Sequence, residues 1–331
     1  MQVLIDPADT DALLALLRDR HWVAPGARLS EVARAGDGNM NLVLRLRLAG
    51  DARRSLILKQ ARPWVEKYPD IAAPPLRLAV ETDFYRLAET LPDVAAGMPA
   101  LLAYDPDINV ALFEDLGEAR DFTALYAGAR LHDADRDALL SWLAALHGAE
   151  PDPATWPRLA NREMRALNHA HIFALPLDPE QGPDVDAVCP GLGSLAHSYR
   201  SDDALRARLS ALGDRYLTDG PRLLHGDFYP GSWLATDAGP RVIDPEFGFF
   251  GDAEFDLGVL KAHLLFAGLD APDLDAYGDR ARVEAALTNA YCGAELLRRL
   301  LGVAQLPLSA DLEQRRAWLE QGRAQILRWS P

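Results

Sequence analysis

The sequence predicts an α+β fold of two unequal lobes, a small β-rich N-lobe and a larger, mostly helical C-lobe. Three observations carry that expectation. Residues 29–60 include stretches such as NLVLRLRLAG, where side chains alternate with the period of two of a half-buried strand. Strand patterns and one helix then follow as far as residue 116. Beyond Asp121 the apolar residues recur mostly at helical spacing. The boundary falls near Leu116–Ala119, which gives an N-lobe of 1–116 and a C-lobe of 117–331. The cleft of such a pair is the natural place for a ligand.

Taken in order, MQVLIDPADTDALLALLRDR reads as an amphipathic helix capped by Asp9 or Thr10, not as a signal peptide. RAGDGNMN is a turn-rich loop ahead of a hairpin formed by NLVLRLRLAG and DARRSLILKQ. Residues 61–78 carry four prolines and are expected to be an irregular connector. A helix follows from about Ala79, with Val80, Phe84 and Leu87 on one face. MPALLAYDPDINVALFEDLG reads as two strands joined by an Asp-Pro turn. RDALLSWLAALHGAE is a helix ended by Gly148, and further helices are expected over 254–268, 281–302 and 310–329.

Composition narrows the functional classes. With 34 basic against 49 acidic residues, the net charge of −15 and the lack of a basic stripe argue against a nucleic-acid partner. The apolar runs are short and charged, so a membrane span is not expected. Cys189 and Cys292 have no paired spacing, which fits a reducing compartment and a cytoplasmic location.

The chemistry concentrates in HGDFYPGSWLATDAGPRVIDPE, residues 225–246. Carboxylates at Asp227, Asp244 and Glu246 among apolar neighbours need a cation, a proton or hydrogen-bond donors. Asp244 lies 17 residues after Asp227, enough for a short hairpin around TDAG to return the second acid beside the first. Hard oxygen ligands there suit Mg²⁺. Gly36 and Gly38 in GDGNMN leave bare backbone that a phosphate can approach, although a tight hairpin turn reads the same way. Lys59 ends the strand SLILKQ, where a lone lysine is usually solvated.

These blocks together resemble the aminoglycoside-phosphotransferase-like superfamily, small-molecule kinases with a bilobal protein-kinase-like fold. The likeness runs from Gly36 to Arg299. GDGNMNLV, LILKQA, HGDFYPGS, VIDPEFGFFG, FDLG and ELLRRLLG look most like its methylthioribose-kinase branch. The resemblance implies ATP and Mg²⁺ as cofactors and a small-molecule hydroxyl acceptor as partner. It implies Asp227 as catalytic base or hydroxyl-orienting group, and Asp244 and Glu246, with Ser232, as metal ligands. Lys59, paired with Glu81, would contact the phosphates under the loop of Gly36, Asp37, Gly38 and Asn39. Backbone groups of Glu114 and Leu116 would hold adenine. Arg298 and Arg299 would reach the substrate and the phosphoryl group; on their own they read as a solvated helix face. Relatives are often dimeric, so a homodimer is implied as well.

Phe228, Tyr229 and Pro230 depart from the usual Leu-His-Thr of the loop, and Tyr229 would lie near the acceptor. Three functions therefore stay open: a kinase of 5-methylthioribose or a related sugar, a kinase of an aminoglycoside or choline-type amino alcohol, and a catalytically weak nucleotide-binding regulatory module. Asp256 in FDLG could brace the catalytic loop or merely cap a helix, and His225 reads as a brace.

Overall fold

The computed structural model describes residues 3–36, 40–50, 55–270, 277 and 283–331. Within it the chain forms two compact units, Met1–Ala119 and Arg120–Pro331. The architecture is mixed: a small antiparallel sheet in the first unit and a larger helical part in the second.

In the first unit, helix α1 (Thr10–Asp19) is capped by Asp9, whose Oδ1 accepts the Ala12 N–H at 2.9 Å. Strands β1 (Leu29–Arg34), β2 (Leu42–Leu48) and β3 (Ser55–Gln60) follow as antiparallel neighbours. The connector contains a short hairpin instead of irregular chain, β4 (Trp64–Val65) with β5 (Tyr68–Ala72). Its prolines sit just before β4 (Pro63), within β5 (Pro69) and, as Pro74 and Pro75, between β5 and α2 (Arg77–Ala88), which starts two residues earlier than the apolar spacing indicates. A short helix, α3 (Pro92–Ala95), leads to β6 (Leu101–Asp105) and β7 (Val110–Glu114), which complete the sheet in the order β1-β2-β3-β7-β6. The alternation in β2 buries Leu42, Leu44, Leu46 and Leu48 against Leu13 and Leu17 of α1. Each such leucine contributes about 1.5–3 kcal/mol when taken out of water. Leu58 of β3 joins this cluster, so its neighbour Lys59 points to the opposite face.

The second unit opens with β8 (Arg120–Asp121) and α4 (Asp133–His147), whose core stripe includes Leu139, Leu140, Leu143 and Leu146. Helices α5 (Arg162–His169), α6 (Leu192–Arg200) and α7 (Asp203–Leu217) precede the edge strand β9 (Arg222–Leu224). The hairpin β10 (Trp233–Thr236) and β11 (Gly239–Val242) forms around TDAG, and β12 (Phe249–Gly251) pairs with β9. Three helices finish the unit: α8 (Glu254–Phe266), α9 (Ala285–Leu301) and α10 (Leu312–Arg328). α8 and α9 approach closely at Gly258, where a Cβ would lie 2.6 Å from the Cβ of Tyr291. That approach brings side chains of the two helices into one buried cluster. Among the described residues no helix is long and apolar enough to cross a membrane.

Candidate active site

In the first unit the sheet and α2 make a buried ion pair. Lys59 registers opposite Val43 on one side and Ala111 on the other, so it lies inside the sheet and not at a solvated edge. Its Nζ is 2.8 Å from Glu81 Oε1, with both side chains almost fully out of water. Burying an ammonium costs several kcal/mol unless a carboxylate compensates it, so the pair fixes where Nζ can be. Gly36, just after β1, has φ +70°, the left-handed conformation glycine accepts without strain. Asp37, Gly38 and Asn39 lie outside the described residues. The described roots of their loop are tied down by side chains the sequence did not flag. Glu66 accepts Arg34 Nη2 at 2.9 Å and its N–H donates to the Met40 carbonyl at 3.3 Å. Arg77, buried, donates to Asn41 Oδ1 at 2.9 Å and to the Met40 carbonyl at 2.8 Å. Glu114 ends β7; its N–H is donated to Ala100 O at 2.9 Å, and its Oε2 accepts the Ala100 N–H at 3.1 Å. Leu116 follows, half-buried.

In the second unit the loop after β9 is held by backbone bonds from every side. Asp256 on α8 is buried and accepts the N–H of His225 at 2.7 Å and of Gly226 at 2.9 Å. His147, at the end of α4, adds a third bond at 3.1 Å. The bracing role of Asp256 is therefore real. His225 braces too: its Nε2 donates to the Ile243 carbonyl at 2.9 Å, and its Nδ1 accepts the Asp227 N–H at 3.3 Å. Burial pulls the His225 imidazole below its ordinary pKa, which suits this neutral arrangement.

The same bonds bring the two acidic segments together. Ile243 N–H donates to Ser232 O at 3.0 Å, one residue before Asp244. Gly226 has φ +83°, and a Cβ there would overlap the Phe247 carbonyl oxygen. The Asp244–Phe247 turn thus packs backbone to backbone on the loop that carries Asp227. Asp244 itself adopts φ +61°, unusual for a residue other than glycine. Asn161 secures the turn from behind, donating to the carbonyls of Glu246 and Gly248 at 2.9 and 3.0 Å. Ser232 Oγ donates to Asp227 O at 2.9 Å. Phe228 points inward, stacked on Trp142 at 5.7 Å and tilted against Trp233 at 5.1 Å. Of the three departing loop residues, only Tyr229 turns toward the charged side chains.

Arg298 and Arg299 are not a solvated face. Both are buried on α9, and each places one Nη 3.5 Å from Asp227 Oδ1. Glu295, one turn earlier, offsets them: Oε2 lies 3.1 Å from Arg298 Nη1 and Oε1 2.6 Å from Arg299 Nε. The Arg299 guanidinium also lies 4.9 Å over the Tyr229 ring. Burial alone would raise the Glu295 carboxyl, but the two guanidiniums outweigh it and hold it well below the usual range. Burial, with Asp227 adding to it, pushes the Tyr229 hydroxyl up to about 12. Glu295 escaped the sequence reading, although its i, i+3 and i+4 spacing to the arginines was a usable signal.

The cluster predicts acid sensitivity. His263 on α8, between Glu295 and Tyr126 and near Arg299, Asp227 and Tyr229, is held by burial at about 4. Its folded value lies below its unfolded value near 6.5, so its contribution is complete above pH ~6.5 and is lost as pH falls toward 4. That loss amounts to about 3 kcal/mol. Melting temperature measured from pH 7 to pH 4 should fall steeply, and His263→Gln should flatten the fall.

Among the described residues no cluster of three or more His, Cys, Asp or Glu side chains holds a metal by itself. The carboxylates of Asp244 and Glu246 and the hydroxyl of Ser232, which donates to the Asp227 carbonyl, are hard oxygen groups. Such a set fits Mg²⁺, which usually takes one or two carboxylates and completes its shell with water and phosphate.

Fold and family fix the class of protein. A family model described as the phosphotransferase enzyme family (APH) matches residues 31–297, so the protein is a phosphotransferase and the chain belongs to that family. The methylthioribose kinase of Yersinia enterocolitica is 28% identical over 88% of this chain and 87% of its own. That of Erwinia tasmaniensis is 32% identical over 74% of this chain and 62% of its own. Among solved structures, the choline kinase of Streptococcus pneumoniae matches 96% of this chain and 100% of its own with a TM-score of 0.54 at 14% identity. An AMP-bound spectinomycin phosphotransferase covers 96% and 97% with a TM-score of 0.51 at 11% identity. With these structures the chain shares the protein-kinase-like fold, a small antiparallel sheet with a larger helical part. The protein is an ATP-dependent kinase of small molecules.

Proposed function

We propose that the acceptor is a neutral sugar, 5-methylthioribose or a close relative, phosphorylated on a hydroxyl by cytoplasmic ATP. The observation that carries this reading is the pair of buried guanidiniums 3.5 Å from Asp227. A cationic amine brought to Asp227 would add a third positive charge to a cluster in which the two guanidiniums already match the carboxylates of Asp227 and Glu295, so nothing there is left to neutralise it. A sugar instead offers hydroxyl oxygens that accept from arginine. The names of the curated relatives support the same choice.

In this reading residues 1–116 serve the nucleotide and 117–331 the acceptor. Lys59, steadied by Glu81, holds phosphate oxygens, and backbone groups of the loop at 36–39 approach them. The Glu114–Leu116 link takes the adenine through its backbone. Asp244 and Glu246, with Ser232, hold Mg²⁺, which when bound neutralises charge on the β- and γ-phosphate oxygens. Asp227 accepts a hydrogen bond from the acceptor hydroxyl and aligns its oxygen on the γ-phosphorus. As the new O–P bond forms and the bond to the β–γ bridging oxygen breaks, the hydroxyl proton passes to the Asp227 carboxylate and ADP leaves. Arg298 and Arg299 face the charge that spreads over the phosphoryl oxygens, while Tyr229 packs beside the acceptor.

ADP release decides the acceptor. Incubation with ATP, Mg²⁺ and, separately, methylthioribose, ribose, choline and an aminoglycoside should give turnover with methylthioribose and at least about a hundredfold less with the amines. Turnover with the amines alone would reverse the assignment, and ATP binding without turnover on any acceptor would favour a regulatory module.

A further inference from the structure

Behind the arginine pair lies a chain of buried side chains that no substrate needs to touch. Glu295 Oε1 accepts from His263 Nε2 at 3.0 Å as well as from Arg299 Nε at 2.6 Å, while Oε2 faces Arg298. His263 Nδ1 in turn takes the Tyr126 hydroxyl at 2.5 Å. All three groups are buried, and they come from separate places: Tyr126 from the turn after β8, His263 from α8 and Glu295 from α9. The Tyr229 ring closes the other side, 5.1 Å from the His263 ring.

We propose that Tyr126, His263 and Glu295 are positioning residues for phosphoryl transfer, holding the two guanidiniums in fixed directions with donors left over at the Asp227 side. This rests on the role given above to the arginines. Consecutive arginines on a helix ordinarily diverge and reach for water. Here they are buried, so they need a counter-charge, and one carboxylate serves both. A carboxylate with only those two partners could rotate toward either. His263 supplies a third donor and pins Oε1. It can do so without adding positive charge only as the neutral tautomer with hydrogen on Nε2, and the Tyr126 hydroxyl, donating to Nδ1, selects that tautomer. The result is visible in the distances: both guanidiniums stop at 3.5 Å from Asp227 Oδ1, the outer edge of a hydrogen bond. Their donors are aimed but not spent, which is the preorganisation that charge developing on a phosphoryl group requires.

The test needs no acceptor. Titration calorimetry compares binding of Mg²⁺ and ADP with binding of Mg²⁺, ADP and aluminium fluoride, the fluoride complex standing in for the transferring phosphoryl group. Glu295→Gln should weaken the fluoride complex by about tenfold or more while ADP alone changes by less than about twofold. Tyr126→Phe, which removes one hydroxyl remote from the reacting atoms, should weaken the same complex by about threefold with the same selectivity. Should Glu295→Gln fail to fold, Tyr126→Phe decides. If aluminium fluoride tightens binding in the wild type and equally in the variants, or if both ligands weaken together, the three residues only support the fold. A wild-type protein that gains nothing from aluminium fluoride would instead overturn the arginine role, and the positioning role with it.

Discussion

Asp227→Asn should cut turnover by about a thousandfold while leaving ATP affinity within about twofold of the wild type. The substitution keeps the shape of the side chain and leaves its backbone bonds to His225 and Ser232 in place. What it removes is the negative charge that faces Arg298 and Arg299 and that, in the proposed reaction, collects the acceptor proton. In a loose transition state the proton leaves late, so alignment of the hydroxyl and final uptake of its proton are both lost. Steady-state ADP release, set beside nucleotide binding by calorimetry, separates the two parameters. Near-normal turnover in the variant would remove Asp227 from the reaction.

Asp256→Ala should produce the largest loss of stability, about 3–5 kcal/mol in urea denaturation. One carboxylate there satisfies the N–H groups of His225 and Gly226 and the imidazole of His147, all in the interior. Alanine leaves those donors without an acceptor in a place water does not reach, and each costs about 1–3 kcal/mol. Because two of the three belong to the loop of Asp227, turnover should fall further than the unfolded fraction explains. Asp256→Asn retains one acceptor oxygen and should recover part of both losses. A variant as stable as the wild type would show that the loop is braced elsewhere.

Much of the architecture was legible because it is written in local periodicity. The leucines of β2 alternate, the apolar residues of α4 recur at helical intervals, and the TDAG turn dictates its hairpin. Asp227 and Asp244 could be expected near one another for the same reason: a short hairpin joins them. The connector was misread because its four prolines mask a two-residue pairing too short to show a period. Arg298 and Arg299 were opaque for a different reason. Their burial depends on Glu295, which is local, but also on His263, Tyr126 and Tyr229, which only the tertiary fold delivers. Phe228 is similar: a loop position next to Asp227 gives no hint that its ring belongs with Trp142 in the interior. Side chains whose environment comes from distant chain segments are those that local pattern cannot place.

Arg299 sends each of its nitrogens a different way: Nε to Glu295, Nη1 to the Ala304 carbonyl and Nη2 to Asp227. A lysine brings its whole charge to one point and would have to abandon two of those directions. An exchange that counts as mild on the surface of a protein is thus barred at this buried position.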